Sequence, residues 1–193
     1  MSFKSVLQTA RTATLIGSRK PPERIARVAV QIGRVLSERG IIGYSGGAPG
    51  MDSQFMFDYS PDRRVIILPE DGFNNLYANG KDIVDFTQLD TYKAADIART
   101  VAGHFDSQNE YTQRRYSRNT YQVLREDLDS PTDFVLFWAE EVNRSVKGGT
   151  AIAVRIARKY NVPVFNLWNE SVLNEVCETL GIDIKPRTLD MFL

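Results

Sequence analysis

Two glycine-rich segments are the first places in this sequence where ligand chemistry could occur. We name them the GGA loop, which is Ser45-Gly46-Gly47-Ala48-Pro49-Gly50-Met51-Asp52, and the GGT loop, which is Lys147-Gly148-Gly149-Thr150. Each precedes a segment of helical period. Glycine lets the backbone approach a ligand, and the free N–H groups at the start of the next helix favour a phosphate or carboxylate. Neither loop has Walker or dinucleotide-fingerprint spacing, so glycines that only serve tight turns are the alternative for either loop alone.

The elements that must position these loops form an alternating pattern. Short apolar runs rich in β-branched residues alternate with segments of helical period, which is typical of βαβ units around a parallel sheet. The pattern predicts strands over residues 13–16, 41–44, 64–68, 133–138 and 162–167. It predicts helices between Pro21 and Gly40, from near Gly50, and over residues 91–102, 111–128, 149–160 and 172–180. Residues 69–90 fit neither pattern and predict an excursion over the site.

The predicted fold is therefore α/β and Rossmann-like, with a mainly parallel central sheet flanked by helices on both faces. In such sheets ligands collect beyond the carboxyl ends of the strands. The first strand is followed there by Gly17-Ser18-Arg19, which we name the GSR turn. We expect this turn and the GGA and GGT loops to line one pocket, with the latter two on neighbouring strands. Arg19 could clamp an anion or be solvated, and Asp52 could cap its helix or accept from a ribose or base.

The segment from Tyr111 to Leu128 carries polar side chains at helical spacing. A helical projection separates two faces, with Arg114, Arg118, Asn119 and Gln122 on one and Tyr121, Leu124 and Leu128 on the other. We expect the apolar face to pack and the polar face to be accessible to a ligand, with an ordinary solvated face as the alternative. Replacing an accessible Arg118 by alanine should then cost little stability.

Composition limits the classes of function. The 193 residues are 42% hydrophobic, which suits one core, and the 24 basic and 24 acidic side chains balance, so no global field attracts nucleic acid or membrane. Cys177 and His104 are the only cysteine and histidine, so we expect no disulfide, metal ion or cofactor. His104 could still be a general acid or base, with capping or packing as the alternative. Without a signal-peptide or membrane-span pattern, we expect a soluble, cytoplasmic, single-domain chain over residues 1–193.

Five ordered strings together resemble a known superfamily. They are GSR (Gly17 to Arg19), SGGAPGMD (Ser45 to Asp52), ILPEDGFN (Ile67 to Asn74), SRNTYQVL (Ser117 to Leu124) and KGGTAIAVRIA (Lys147 to Ala157). Over residues 15–167 the chain resembles the SLOG superfamily and, within it, the DprA/YspA-like proteins common in bacteriophage genomes. For a phage protein, the compartment would be the host cytoplasm. The resemblance implies a Rossmann-like fold and ligand contacts at Gly17, Ser18, Arg19, Ser45, Gly46, Gly47, Gly50, Asp52, Arg118, Asn119, Gly148, Gly149 and Thr150.

The chain also departs from patterns in that superfamily. Phosphoribohydrolases of the LOG type carry a glutamate three residues after the Gly-Thr pair, where this chain has Ala153. Phage-type members often have a tryptophan after the Leu-Pro pair, an arginine before Ser-Gly-Gly and a central His-Pro. This chain has Glu70, Tyr44 and His104-Phe105 at those places. The first departure disfavours LOG-type hydrolysis, and the others suggest an altered ligand preference.

Three functions remain open at this point. The leading one is binding of a nucleotide or nucleotide-derived signal, with phosphates on the GGA and GGT loops and the base or ribose held by Arg118, Asn119 and Gln122 and by Pro69, Gly72, Phe73 and Asn74. The second is an N-glycosidic hydrolase that uses Asp52, His104 or Glu110. The third is DprA-like binding of single-stranded DNA in a basic groove of Arg63, Arg64, Arg114, Arg115 and Arg118. The sequence leaves the ligand, enzymatic activity and a homodimer undecided.

Overall fold

A six-stranded parallel sheet forms the centre of the protein. The computed structural model describes residues 1–142, 145–146 and 148–184, and only the backbone of residue 145. In chain order the strands are β1 (Thr12–Gly17), β2 (Ile42–Ser45), β3 (Arg64–Leu68), β4 (Ile83–Asp85), β5 (Phe134–Trp138), β6 (Glu141–Val142), β7 (Ser145–Val146) and β8 (Val164–Asn166). The order across the sheet is β4-β3-β2-β1-β5-β8, with β6 and β7 forming a separate antiparallel pair. The predicted α/β, Rossmann-like fold is confirmed.

Strand β1 lies at the point where the strand order reverses. It pairs with β2 on one side, where Thr14 faces Tyr44, and with β5 on the other, where Gly17 faces Trp138. The GGA loop follows β2 and the GGT loop lies beyond β5, so the two loops flank β1. The expectation of neighbouring strands was wrong, because β1 occupies the place between them. The arrangement still brings three loop regions to one edge of the sheet, where open α/β folds bind ligands.

Helices cover both faces of the sheet. They are α1 (Phe3–Leu7), α2 (Glu23–Glu38), α3 (Met51–Met56), α4 (Thr91–Arg99), α5 (Glu110–Leu124), α6 (Gly149–Lys159) and α7 (Glu170–Leu180). One core cluster contains Leu15 and residues of α1, α2, α3 and α7, and the other contains Ile16 and residues of α4, α5 and α6. Consecutive β1 side chains thus enter opposite layers, as strand geometry requires.

Close packing of α2 on α3 fixes the start of the site. Ile25, Val28, Ala29, Ile32 and Leu36 form the buried stripe of α2 at helical spacing. Gly33 lies against the backbone of Phe55, and a Cβ there would overlap the Phe55 carbonyl oxygen. Because the last two residues of the GGA loop form the start of α3, this contact holds the loop against the sheet.

The structure corrects several expected elements. Within the predicted excursion over residues 69–90, β4 adds an edge strand to the sheet, and short 3-10 turns cover Phe73–Asn75 and Phe86–Gln88. Helix α5 ends at Leu124, and Leu128 lies beyond it with φ of +59°. Helix α4 ends at Arg99, and α1 and the β6–β7 pair were not predicted. In the part of the chain that the structure describes, no helix is both long and apolar enough to cross a membrane.

Candidate functional site

A cavity of about 440 Å³ opens at the carboxyl edge of the sheet. This volume falls in the range of small-molecule sites, about 300–1,000 Å³. Ten of the residues predicted from the sequence line it: Gly17, Ser18, Arg19, Asp52, Arg118, Asn119, Gln122, Gly148, Gly149 and Thr150. Lys147, also expected there, lies outside the described residues. The GSR turn, the end of the GGA loop, α5 and the GGT loop therefore meet at one concave surface.

Asp52 ties two of these loops together. Its Oδ1 accepts from the Gly17 N–H at 3.0 Å and its Oδ2 from the Gly46 N–H at 3.1 Å. The side chain is 4% exposed. Burial raises the pKa of Asp52, and Arg118 and the backbone N–H groups act against that rise. Gly50 occupies the cap position of α3 and provides no side-chain hydrogen bond there. Asp52 thus joins the GSR turn to the GGA loop.

Arg118 is a buried cation in the wall of the cavity. Its side chain is 4% exposed, so the expectation of an accessible face was wrong. The reason is that α5 packs between α4 and α6 and is buried all round from Ser117 to Leu124. Burial lowers the pKa of Arg118 to about 10, against the effect of Asp52, and the guanidinium keeps its charge at neutral pH. Its Nε is buried and has no hydrogen-bond acceptor among the described residues.

Helix α5 connects the GGA and GGT loops through two amides. Asn119 Nδ2 donates to the Gly149 carbonyl oxygen at 2.9 Å. The Gln122 amide is oriented so that its oxygen accepts from the Gly46 N–H at 2.8 Å and from Arg118 Nη1, while its nitrogen donates to Asn119 Oδ1 at 2.9 Å. A continuous chain of hydrogen bonds therefore crosses the floor of the cavity from one loop to the other.

Two further arginines stand at the cavity. Arg19 is exposed. Arg115 lies over the Tyr111 ring, with 5.5 Å from Cζ to the ring centroid, and its buried Nε has no acceptor among the described residues. Both guanidinium groups are close enough to Arg118 to lower its pKa. Together the three cations make this part of the wall attractive to an anion.

The structure places the other eight predicted residues outside the cavity wall: Ser45, Gly46, Gly47, Gly50, Pro69, Gly72, Phe73 and Asn74. Ser45 Oγ donates to the Leu15 carbonyl oxygen at 2.7 Å, and Asn74 Nδ2 donates to the Gly47 carbonyl oxygen at 3.0 Å. A Cβ at Gly46 would overlap the Arg118 guanidinium, and one at Gly50, where φ is +85°, would meet the Arg19 backbone at 2.5 Å. These contacts brace the loops from behind the wall.

Sequence reasoning missed part of the wall. Ile16, Ala139, Glu140 and Val142 line the cavity without having been predicted there, whereas Ala48 belongs to the expected GGA loop, and Arg115 was considered only for a DNA groove. The position of Glu140 just beyond a predicted strand was the signal that could have identified it.

Only one of the three side chains considered as a catalytic acid or base for N-glycosidic hydrolysis lines the cavity. Asp52 lines the wall, whereas His104 and Glu110 do not. His104 is exposed, with its carbonyl oxygen accepting from Ser107 Oγ, and Glu110 pairs with Arg114 at 3.0 Å. Ala153 is fully buried in α6. Across residues 1–142, 145–146 and 148–184, no group of three or more His, Cys, Asp or Glu side chains is placed to hold a metal ion.

Comparison with models of known protein families finds no match, and comparison with curated protein sequences finds none either. Among solved structures, the chain is similar to DNA processing protein A from Helicobacter pylori, whose structure was described for its single-stranded DNA binding mode. The two chains are 17% identical with a TM-score of 0.54, and the match covers 94% of this chain and 78% of that one. The chain thus shares the fold of a DprA protein.

Proposed function

We propose that the protein binds a phosphate-bearing nucleotide, or a ligand derived from one, in the cavity at the carboxyl edge of the sheet. The observation that carries the proposal is Arg118, a cation 4% exposed whose Nε faces no acceptor in the described part of the chain. A buried polar group without a partner costs about 1–3 kcal/mol, and more when it is charged. An anionic ligand would supply the missing acceptor.

The rest of the wall supports the same ligand class. Arg19 and Arg115 add two cations beside Arg118. The first turn of α6 begins at Gly149, and its cap residue Gly148 provides no side-chain hydrogen bond to the free N–H groups. A phosphate placed between this helix start and the arginines would receive both backbone and guanidinium donors. The five ordered strings support membership of the SLOG superfamily and its DprA/YspA-like group as part of the same proposal.

Titration calorimetry of Arg19→Ala against nucleoside mono- and diphosphates tests the proposal. Arg19 is exposed, so its loss should leave the melting temperature unchanged and weaken binding about tenfold, the value of one charge-assisted hydrogen bond of about 1.5 kcal/mol. Arg158→Ala is the matched control, because Arg158 is also an exposed arginine but lies in the last turn of α6 and not in the cavity wall. Mass spectrometry of small molecules released on denaturation identifies a co-purified ligand.

Two results would contradict the proposal. One is that no phosphate-bearing compound binds the native protein. The other is that Arg19→Ala and Arg158→Ala weaken binding equally, which would indicate a general charge effect. Release of free base during the same titrations would add N-glycosidic hydrolysis and direct attention to Asp52.

Binding of single-stranded DNA is a second candidate, favoured by the similarity to DNA processing protein A. The five arginines expected to form one basic groove lie in different parts of the structure. Arg64 pairs with Asp82 at 2.7 Å, Arg114 pairs with Glu70 at 2.7 Å, and Arg63 lines a separate hollow beside α2. Arg115 and Arg118 are the two that line the cavity.

Fluorescence anisotropy with labelled oligo-dT distinguishes the two candidates. A strand held in the cavity should bind more weakly as salt increases, because phosphate contacts release counterions, and a mononucleotide should displace it. Oligo-dT binding that mononucleotides do not displace would locate the strand elsewhere. An absence of binding at low salt would remove this candidate.

A further inference from the structure

The carboxylate of Glu140 is an unused acceptor in a cavity whose other free charges are cations. Glu140 lines the wall, is exposed, and makes no hydrogen bond or ion pair with any residue that the structure describes. The other carboxylate in the wall, Asp52, already accepts one backbone N–H on each oxygen. Glu140 is therefore the carboxylate with both oxygens available to a ligand.

The backbone that carries Glu140 is held firmly. Asn166 clamps the preceding residue, because its Oδ1 accepts from the Ala139 N–H at 3.2 Å and its Nδ2 donates to the Ala139 carbonyl oxygen at 3.0 Å. Ser18 N–H donates to the Trp138 carbonyl oxygen at 2.8 Å. Glu140 thus stands beside the GSR turn, at the point between β1 and β5 where the strand order reverses. These bonds fix the backbone from which the Glu140 side chain projects, so its carboxylate stays at the edge of the cavity.

The chemistry of a carboxylate defines what it can contact. It only accepts hydrogen bonds, and it repels phosphate, so it must face a neutral part of the ligand that carries donors. A ribose offers two O–H donors on adjacent carbons, which match the two oxygens of one carboxylate. In dinucleotide-binding folds an acidic residue at the strand edge binds a ribose hydroxyl in this way.

We propose that Glu140 binds the 2′ and 3′ hydroxyls of the ligand and makes the cavity selective for ribonucleotides over 2′-deoxyribonucleotides. This inference rests on the proposed function, because it assumes that a nucleotide occupies the cavity. Glu140 acts here as a specificity-determining residue. The arginines hold the phosphate at one end of the sugar, and Glu140 holds the diol at the other.

Calorimetry with AMP, GMP, CMP and UMP and their 2′-deoxy counterparts tests the inference on the full chain. Wild-type protein should bind each tested ribonucleotide about tenfold more tightly than its deoxy form, since one hydrogen bond to a charged acceptor is lost. In Glu140→Gln, ribonucleotide affinity should fall about to the deoxy level, while deoxy affinity changes by less than about threefold. Glu178→Gln is the matched control, because Glu178 is also an exposed glutamate but lies in the last turn of α7 and not in the cavity wall.

The outcomes separate this inference from the proposed function. If wild-type protein binds ribo and deoxy forms equally, or if Glu140→Gln weakens both equally, the inference fails while nucleotide binding stands. Selectivity for one base that is independent of the sugar would also overturn it, because Glu140 would then contact amino groups of the base. If none of the eight compounds and no nucleoside diphosphate binds, the proposed function fails and the inference with it. Equal melting temperatures of the three proteins exclude a folding defect.

Discussion

Replacing Arg118 by alanine would remove the buried cation whose charge opposes the raised pKa of the buried Asp52 carboxylate. Both side chains are 4% exposed. Breaking a buried charge pair by removing one partner typically costs about 3–5 kcal/mol. We expect a loss of about 3 kcal/mol, at the lower end, because Arg118 acts on Asp52 through its charge without direct ion-pair contact and the two backbone N–H groups remain on Asp52. For a chain of this size that corresponds to a fall of about 6–12 °C in melting temperature.

The pH dependence of the stability loss in Arg118→Ala tests whether the Asp52 carboxylate causes that loss. Burial already raises the pKa of Asp52, and removal of Arg118 should raise it further. An acid with a folded pKa above its unfolded value favours the folded state only when protonated. The deficit of Arg118→Ala relative to wild type should therefore be complete at neutral pH and shrink as the pH falls through the folded pKa of Asp52. Urea unfolding followed by circular dichroism at neutral and mildly acidic pH measures both effects.

A double-mutant cycle completes the test. Asp52→Asn removes the carboxylate charge, so the double variant should be more stable than the sum of the two single losses predicts, by more than about 1 kcal/mol. A loss below about 1 kcal/mol for Arg118→Ala would refute the reasoning and restore the picture of an accessible arginine. A deficit that does not change with pH would show that lost packing, and not Asp52, is responsible.

Two further predictions concern loops, one in the GGA and GGT loops and one in the turn after α5. Gly46→Ala should destabilise the fold more than Gly148→Ala, because a Cβ at Gly46 overlaps the Arg118 guanidinium. A Cβ at Gly148 meets nothing within 4 Å, so the only cost there is the backbone strain of its φ of +76°. Equal losses of stability in chemical unfolding would contradict this prediction. The hydrogen bond from the Ser130 hydroxyl lowers the pKa of Asp127 from 3.8 to about 2. The ionised Asp127 should therefore stabilise the fold at pH values above 3.8, and this contribution should be lost as the pH falls toward about 2. A carboxyl NMR titration should show a higher pKa of Asp127 in Ser130→Ala, and an unchanged value would assign the shift to the backbone N–H groups.

The strands that carry the site could be predicted because their residues repeat simple patterns. β3 matches the predicted range of residues 64–68, and β5 differs by one residue at its start. In contrast, β4 contains three residues at the sheet edge, with only Ile83 and Val84 apolar, which is too short for a pattern to appear. The same lack of length explains why α1 and the β6–β7 pair were missed.

The burial of Arg118 could not be predicted from the helical pattern of α5. A projection shows which side chains share a face, but it does not show what covers that face. Here the GGA loop and α6 cover it, and both belong to segments distant in the chain. The same limit explains why Gly46 and Gly50 were interpreted as ligand contacts. Their missing side chains make room for the Arg118 guanidinium and the Arg19 backbone.

The hydrogen-bond chain across the cavity floor has a consequence for how such a pocket can diversify. Gly46, Gln122, Asn119 and Gly149 are joined in series, so a change in either loop is transmitted to the other. Because Gly46 and Gly149 contribute backbone groups, the connection depends on the side chains of Gln122 and Asn119, and loss of either amide would separate the two loops. Arg19 and Glu140 lie at the rim of the cavity, where both are exposed, and neither belongs to this hydrogen-bond chain, so both positions can vary independently. A laboratory search for new ligand preferences should therefore randomise the rim first and leave the floor intact.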